Sequence, residues 1–343
     1  MYGLIITKEA LRKGFYDARK SKLKNYACLN FELSIGTEIE ALHKELSNGT
    51  YKPRPYIKFK VSEPKERIIY APAFRDCVVQ HAVYTIIQPI FDRTFIDQSF
   101  ACRVGKGMHK AADYAQQALI RSPDDSYTLQ LDIQKFFYSI NREILRTLFE
   151  LKIKDPQMIE LMMSFTVYEG TVGIPIGNLL SQIYALIYMN QVDHFVVRQL
   201  KPRSGYVRYV DDFILFGLTR TEALEHRATI ELFLHEKLRL RLSRSTIANT
   251  KRGVNFVGYR TWRGARFIRK HSMYKAKKAV RENRLDSFIS HLAHASKTHS
   301  MQHLLNYAQE HNYDLYSRLP KKYHAGHYQD AQCSGWGDRA MYA

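Results

Sequence analysis

Apolar positions along this chain recur with two different periods, and the places where the period changes hold its most informative residues. Tyr127–Ile133 reads YTLQLDI, in which Leu129, Leu131 and Ile133 alternate with Gln130, Asp132 and Gln134. That is the period of a half-buried strand, so Asp132 falls near its C-terminal end on the face opposite the leucines. Phe136, Phe137, Ile140, Leu145 and Leu148 follow at more helix-like spacing. Farther along, Tyr206, Val207, Tyr209 and Val210 precede an Asp-Asp pair, and Phe213, Ile214, Leu215 and Phe216 follow it. Two β-rich runs around a short polar break predict a hairpin with Asp211 and Asp212 at its tip. Leu180, Ile183, Tyr184 and Ile187 lie at helical spacing, with Asn178 or Ser181 as the cap. Residues 222–245 open as a helix and end in LRLRLSRS, and from residue 285 the chain reads as helical to about Tyr316.

Chemistry enters with the carboxylates. Two like charges in a turn between apolar strands are costly unless a cation sits with them. Magnesium suits such ligands and usually shares them with substrate phosphates. A solvated turn is the plainer alternative, since Asp is common in turns. Asp132 supplies a second acidic element, the minimum for a two-metal phosphoryl-transfer site. Its plainer alternative is an exposed strand end.

LDIQKFFYSI, GIPIGNLLSQ, YVDD and NFVGYRTW, in this order and spacing, resemble the palm motifs of reverse transcriptases. The resemblance covers roughly residues 51–262 and implies an α+β, right-hand polymerase fold of fingers, palm and thumb. In it, an antiparallel palm sheet is backed by helices and followed by a helical thumb. The expected divisions are a basic lead-in over 1–50, fingers and palm over 51–262, a thumb over 263–318 and a tail over 319–343. By the same resemblance Asp132 and Asp211 bind two Mg²⁺ ions together with the backbone carbonyl of Ile133. Asp212 contributes more weakly, and Mn²⁺ can substitute. Phe137 is the aromatic gate that clashes with a ribose 2′-OH and so favours dNTPs; its plainer alternative is a core aromatic, as Phe136 is expected to be. An aromatic face is a sensible way to reject an extra hydroxyl without offering it a partner.

One motif departs from the commoner pattern. Most reverse transcriptases carry Gln before the glycine of the second motif and Pro at its end, where this chain has Ile176 and Gln182. That form resembles the enzymes of diversity-generating retroelements, which copy a template RNA into cDNA with frequent errors opposite adenine. Ile176, Gly177 and Gln182 are then nucleotide-binding positions, Gly177 allowing a close backbone approach. A polar side chain here can hydrogen-bond the nascent pair and an aliphatic one cannot, which lowers discrimination. The plainer alternative is a packing residue in an accurate enzyme.

The resemblance also assigns Lys65 and Arg67 to the triphosphate, a point charge beside a bidentate fork, with Arg75 as a further candidate. Arg103, Lys106 and His109 fall near template or nucleotide, and Tyr209 near the primer. Phe256, Gly258 and Tyr259 form a primer-grip hairpin, for which a plain hairpin with core aromatics is the alternative. A lysine that donates a proton to pyrophosphate in many relatives has no match, Arg241 and Arg244 occupying its vicinity.

Composition narrows the partners. The chain has 343 residues and a formal charge of +19, which points to a polyanion. Residues 263–284 hold nine Lys/Arg against Glu282, including Lys275 and Lys278, and suit a phosphate backbone. A solubilising surface would look the same. Cys28, Cys77, Cys102 and Cys333 show no CxxC spacing, indicating neither a zinc knuckle nor a disulfide framework. His299 and His303 are spaced to chelate, but no third ligand accompanies them. The apolar run over residues 4–6 is too short for a signal peptide and nothing approaches a membrane span. The expected partners are template RNA, the RNA/DNA duplex, dNTPs and, by the resemblance, a small basic ring-forming accessory protein, in a bacterial or phage-encoded cytoplasmic enzyme with no membrane partner. The rivals are an accurate intron, retron or phage-defence reverse transcriptase, and a non-catalytic RNA-binding protein on the same scaffold.

Overall fold

The computed structural model describes residues 1–20, 22–62 and 66–324. These form two compact units, one of residues 1–114 with 121–250, the other of residues 115–120 with the chain from Lys251 onward.

The first unit is built on a four-stranded antiparallel sheet. Numbering the strands along the chain, β1 is Ile57–Val61, β2 Arg67–Ala71, β3 Tyr127–Ile133, β4 Gly205–Tyr209, β5 Asp212–Leu218 and β6 Leu242–Asn249. The sheet runs in the order β4-β5-β3-β6, while β1 and β2 pair as a separate hairpin. The alternation read along β3 is real. Leu129 and Leu131 are buried and face Leu215 and Phe213 across the pair, while Gln130 and Asp132 are half-buried on the other face. The Arg220–Leu238 helix packs on β3 and β6, and the almost wholly buried Leu179–Phe195 helix packs against Phe74–Asp92 and Arg142–Glu150. Asn178, not Ser181, caps it, its Oδ1 accepting from Leu180 N at 2.9 Å.

The lead-in folds as helices Tyr2–Ile5, Lys8–Arg19, Tyr26–Leu33 and Ile35–Ser47, all within this unit. Lys8–Arg19 lies along Phe74–Asp92 so closely that a Cβ on Gly14 would stand 2.4 Å from the Val78 carbonyl oxygen.

The acidic hairpin differs from expectation by one residue. Tyr209 pairs with Asp212, so the turn consists of Val210 and Asp211, and Asp212 is the first residue of β5. Val210 has φ 59°, an unusual conformation for a β-branched residue. The turn breaks at Val-Asp because Asp212 has a partner in two directions, opposite Tyr209 on β4 and Asp132 on β3.

The second unit holds a three-stranded meander of β7 Val254–Phe256, β8 Tyr259–Thr261 and β9 Arg266–Ile268. Helices Lys270–Arg281, Leu285–Ala295, Ser300–His311 and Tyr313–Ser317 follow, close to the helical stretch expected. The division falls between Thr250 and Lys251, so the NFVGYRTW hairpin groups with these helices. Among the described residues no helix is long and apolar enough to cross a membrane.

Candidate active site

Asp132 reaches the site from the end of β3 and Asp211 from the β4–β5 turn. Burial pushes the Asp211 carboxyl above the usual carboxylate range, and the charge on Asp132 pushes it further; Arg67 and Arg208 partly offset both. The two carboxylates therefore share one electrostatic environment, with Arg67, exposed at the start of β2, close enough to be felt. Asp212 stands opposite Asp132, and Gln130 Nε2 donates to its Oδ1 at 2.9 Å from the same face of the sheet. Ser243 Oγ donates to Asp132 Oδ2 at 2.5 Å. It sits where the β3–β6 register slips, Asp132 pairing with Arg244 and Ile133 with Leu242. Gln130 and Ser243 orient carboxylates, and neither was singled out from the sequence. Gln130 was legible as the polar neighbour two places before Asp132. Ser243 needed the bulge.

The donor set fits a divalent cation. Among the described residues no three His, Cys, Asp or Glu side chains converge on a metal position, His299 and His303 included. His299 Nδ1 instead accepts from Arg266 N at 3.2 Å. Magnesium usually keeps several waters and takes one or two carboxylates plus phosphate oxygens. A repelling, partly desolvated pair such as Asp132 and Asp211 suits that need, with Ile133 next in the strand.

Three segments assemble beside the carboxylates. Ile174 N donates to Phe137 O and Gly173 N to Ile140 O, both at 2.8 Å, joining the second motif to the chain after β3. Tyr70 N donates to Ile176 O at 2.7 Å, and Tyr138 OH to Ile68 O at 3.3 Å, joining both to β2. Phe136 is buried and Phe137 half-buried against the core. Ile176 is half-buried and Gln182 exposed. Gly177 has φ 107°, and a Cβ there would lie 2.7 Å from Ile69 Cγ2, so its missing side chain admits β2. An open cleft of about 450 Å³ beside β1 and β2 is lined by Tyr56, Lys58, Tyr70, Tyr168 and Glu169, apart from the carboxylates.

Other candidates are engaged within the protein. Arg75 is buried and pairs with Glu45 at 2.8 and 3.0 Å, bracing the Ile35–Ser47 helix. Arg103 donates to Asp92 and to the Ile96 carbonyl, both at 2.7 Å, and Lys106 to the Asp97 carbonyl at 2.9 Å, so both hold their own loop. Tyr209 is half-buried opposite Asp212. His109 lies on the first turn of the Met108–Arg121 helix. Arg244 and Arg241 are exposed on and beside β6. Cys28, Cys77 and Cys102 are free thiols. Lys65 and Cys333 lie outside the described residues.

Within the second unit Phe256 and Tyr259 are core residues, Tyr259 OH donating to His294 O at 2.9 Å. Val257 and Gly258 form the turn between them, with φ 42° and 89°. Lys275 and Lys278 are half-buried on the Lys270–Arg281 helix, with Lys278 Nζ 3.5 Å from Glu282.

A carboxylate pair on a four-stranded antiparallel sheet backed by helices, with the half-buried Phe137 and the Arg67 strand in the same unit, matches the architecture of a right-hand polymerase. A family model described as reverse transcriptase (RNA-dependent DNA polymerase) matches residues 58–261, more than half of the chain. The chain belongs to the reverse transcriptase family, whose class of reaction is RNA-directed DNA synthesis. It is similar to Protein YkfC of Escherichia coli, 25% identical over 295 residues and covering 72% of this chain and 75% of that one. It is also similar to the group II intron-encoded protein LtrA of Lactococcus lactis, 26% identical over 301 residues. That match covers 65% of this chain and 49% of LtrA, so the chain spans about half of that relative. Apo telomerase from Candida tropicalis has the same fold, with TM-score 0.52 at 13% identity over 78% of this chain and 58% of that one.

Proposed function

We propose that this reverse transcriptase copies a structured template RNA into error-prone cDNA that diversifies a target gene, as enzymes of diversity-generating retroelements do. The observation that carries the reading is Ile176. Its carbonyl is tied to β2 and its neighbour Gly177 is wedged against Ile69, so an aliphatic side chain is held at the position where most relatives offer an amide. An apolar group there cannot hydrogen-bond the nascent base pair, and binding discrimination falls.

Asp132 and Asp211 would hold Mg²⁺ with the Ile133 carbonyl, and Asp212 more weakly, Ser243 orienting Asp132 and Gln130 orienting Asp212. Divalent ions bound there supply activation of the primer 3′-OH and charge neutralisation at the phosphates. Arg67 takes the triphosphate as a planar fork, and Lys65 is proposed beside it. The Phe137 ring screens the sugar 2′ position, and Gln182 faces the nucleotide from the first turn of its helix. Phe256 and Tyr259, being buried, would support the primer-grip turn while the Val257–Gly258 backbone meets the primer. Lys275 and Lys278 would contact phosphates of the duplex. Template RNA, dNTPs and a small basic ring-forming protein are the proposed partners.

The similarity to LtrA favours a second reading, an accurate reverse transcriptase of intron type. Primer extension on a defined RNA, with dNTPs, Mg²⁺, the accessory protein and the native RNA, separates them when the cDNA is sequenced. Errors concentrated opposite adenine, reduced in I176Q and absent with D211A, are the expected result. Accurate wild-type cDNA would overturn diversification and leave the intron-type reading. No cDNA would leave an RNA-binding protein on this scaffold.

A further inference from the structure

Arg208 is the largest fully buried side chain among the described residues, and it lies two residues before the turn that carries Asp211. A charge in the middle of an apolar strand demands a buried counter-charge. Asp193, on the Leu179–Phe195 helix and equally buried, supplies it. Arg208 Nε donates to Asp193 Oδ1 at 2.6 Å and Nη2 to Oδ2 at 2.5 Å, a bidentate pair. Tyr206 OH donates to the same carboxylate at 2.8 Å, and Arg208 Nη2 also donates to Ser99 Oγ at 3.0 Å.

The remaining arm of the fork points forward. Arg208 Nη1 donates to Val210 O at 2.8 Å. That oxygen belongs to the peptide bond leading into Asp211, so the bond fixes the peptide plane from which the carboxylate projects. Val210 itself has φ 59°, which a β-branched residue keeps only where its surroundings impose it. The backbone of Arg208 is anchored too, its N donating to Gln98 O and its O accepting from Phe100 N, each at 3.0 Å. A rigid guanidinium, locked on three sides, thus holds a strained turn in a single conformation.

We propose that Arg208 is a positioning residue for Asp211, setting the direction of its carboxylate through the Val210 carbonyl. The proposal rests on the reading of Asp132 and Asp211 as the metal pair. Arg208 touches neither substrate nor metal; it acts through the turn. Lysine retains the charge but, as a single point donor, cannot span Asp193 and Val210 O together.

The test uses the full chain and two readouts, steady-state extension and Mn²⁺ binding followed by electron paramagnetic resonance without nucleotide. R208K is expected to lower kcat about ten- to hundredfold and to weaken Mn²⁺ binding about tenfold, with the dNTP KM within about twofold. Val210→Gly adopts positive φ without strain, so R208K should cost less in that background, about threefold or under. A role confined to folding would instead lower the melting temperature while leaving Mn²⁺ affinity and kcat per folded molecule unchanged, and equal costs of R208K in both backgrounds would likewise overturn the proposal. If R208K does not fold, S99A removes one acceptor of the fork and leaves the ion pair. Weakened Mn²⁺ binding in S99A is then expected, and wild-type binding would refute positioning. D211N separates the two ideas. If it binds Mn²⁺ like wild type, the metal-pair reading fails; if it loses Mn²⁺ while R208K does not, the positioning reading alone fails.

Discussion

Asp193→Asn tests how much of the first unit depends on one buried charge pair. Asp193 and Arg208 are both 0% exposed, so the variant strands a guanidinium in the interior with no water to replace its partner. Removing one member of such a pair costs about 3–5 kcal/mol. The asparagine oxygen can still accept from Arg208 Nε or Tyr206 OH, which keeps the cost within that range rather than above it. At about 2–4 °C per kcal/mol for a folding unit of this size, the melting temperature should fall by about 6–20 °C. Replacing both residues, as D193L/R208M, removes the stranded charge. Against that gain, Ser99 Oγ, Val210 O and Tyr206 OH lose partners at about 1–3 kcal/mol for each left buried, a total comparable to the cost of D193N, so the double variant should melt near D193N. Calorimetric or circular-dichroism melts of the two variants against wild type provide the measurement. D193N melting within about 2 °C of wild type would refute the argument.

Three further outcomes are expected. Because the Asp211 carboxyl is raised on folding, the unfolded chain releases its proton first as pH rises, and stability is lost between the ordinary carboxylate range and the raised folded value. Metal-free D211N should therefore be more stable than wild type at neutral pH and equal to it in acid, and Mg²⁺ should raise the melting temperature of wild type alone; denaturant melts across pH decide this. Gly14→Ala gains about 1 kcal/mol of helix propensity, but its Cβ would meet the Val78 carbonyl oxygen at 2.4 Å, a backbone atom on a packed helix that cannot turn aside. Net destabilisation of about 1–3 kcal/mol follows from overpacking, and a stabilised G14A in urea melts would show that the helices part freely. Phe137→Ala, on a half-buried ring, should leave dNTP incorporation within about tenfold while raising rNTP incorporation by about tenfold or more, read by paired single-nucleotide extensions.

Much of the site was legible before any coordinates. Asp132 and Asp211 follow from a period-2 strand and a hairpin break, because side-chain alternation dictates which face a carboxylate occupies. The distinction between Phe136 and Phe137 came from the resemblance instead, since both lie on the short Phe136–Ser139 helix rather than on β3. Arg75 was not legible. As one basic residue among fifty-two Lys and Arg, it looked free for phosphate until Glu45, thirty positions away, claimed it.

By itself the sequence determined the strands that carry Asp132 and the Asp pair and the capped helix after the second motif, which depend on neighbours within a few positions, and the order of its motifs pointed to the reverse transcriptase family. Only the tertiary structure decided that Asp211 sits in the turn while Asp212 joins β5 beside Gln130. It alone placed Ser243 on Asp132 and Arg208 between Asp193 and Val210. Those choices depend on strand register and on charge pairs closed across distant elements. No local period encodes them, because a buried polar group is satisfied by whatever the fold brings within 3 Å of it.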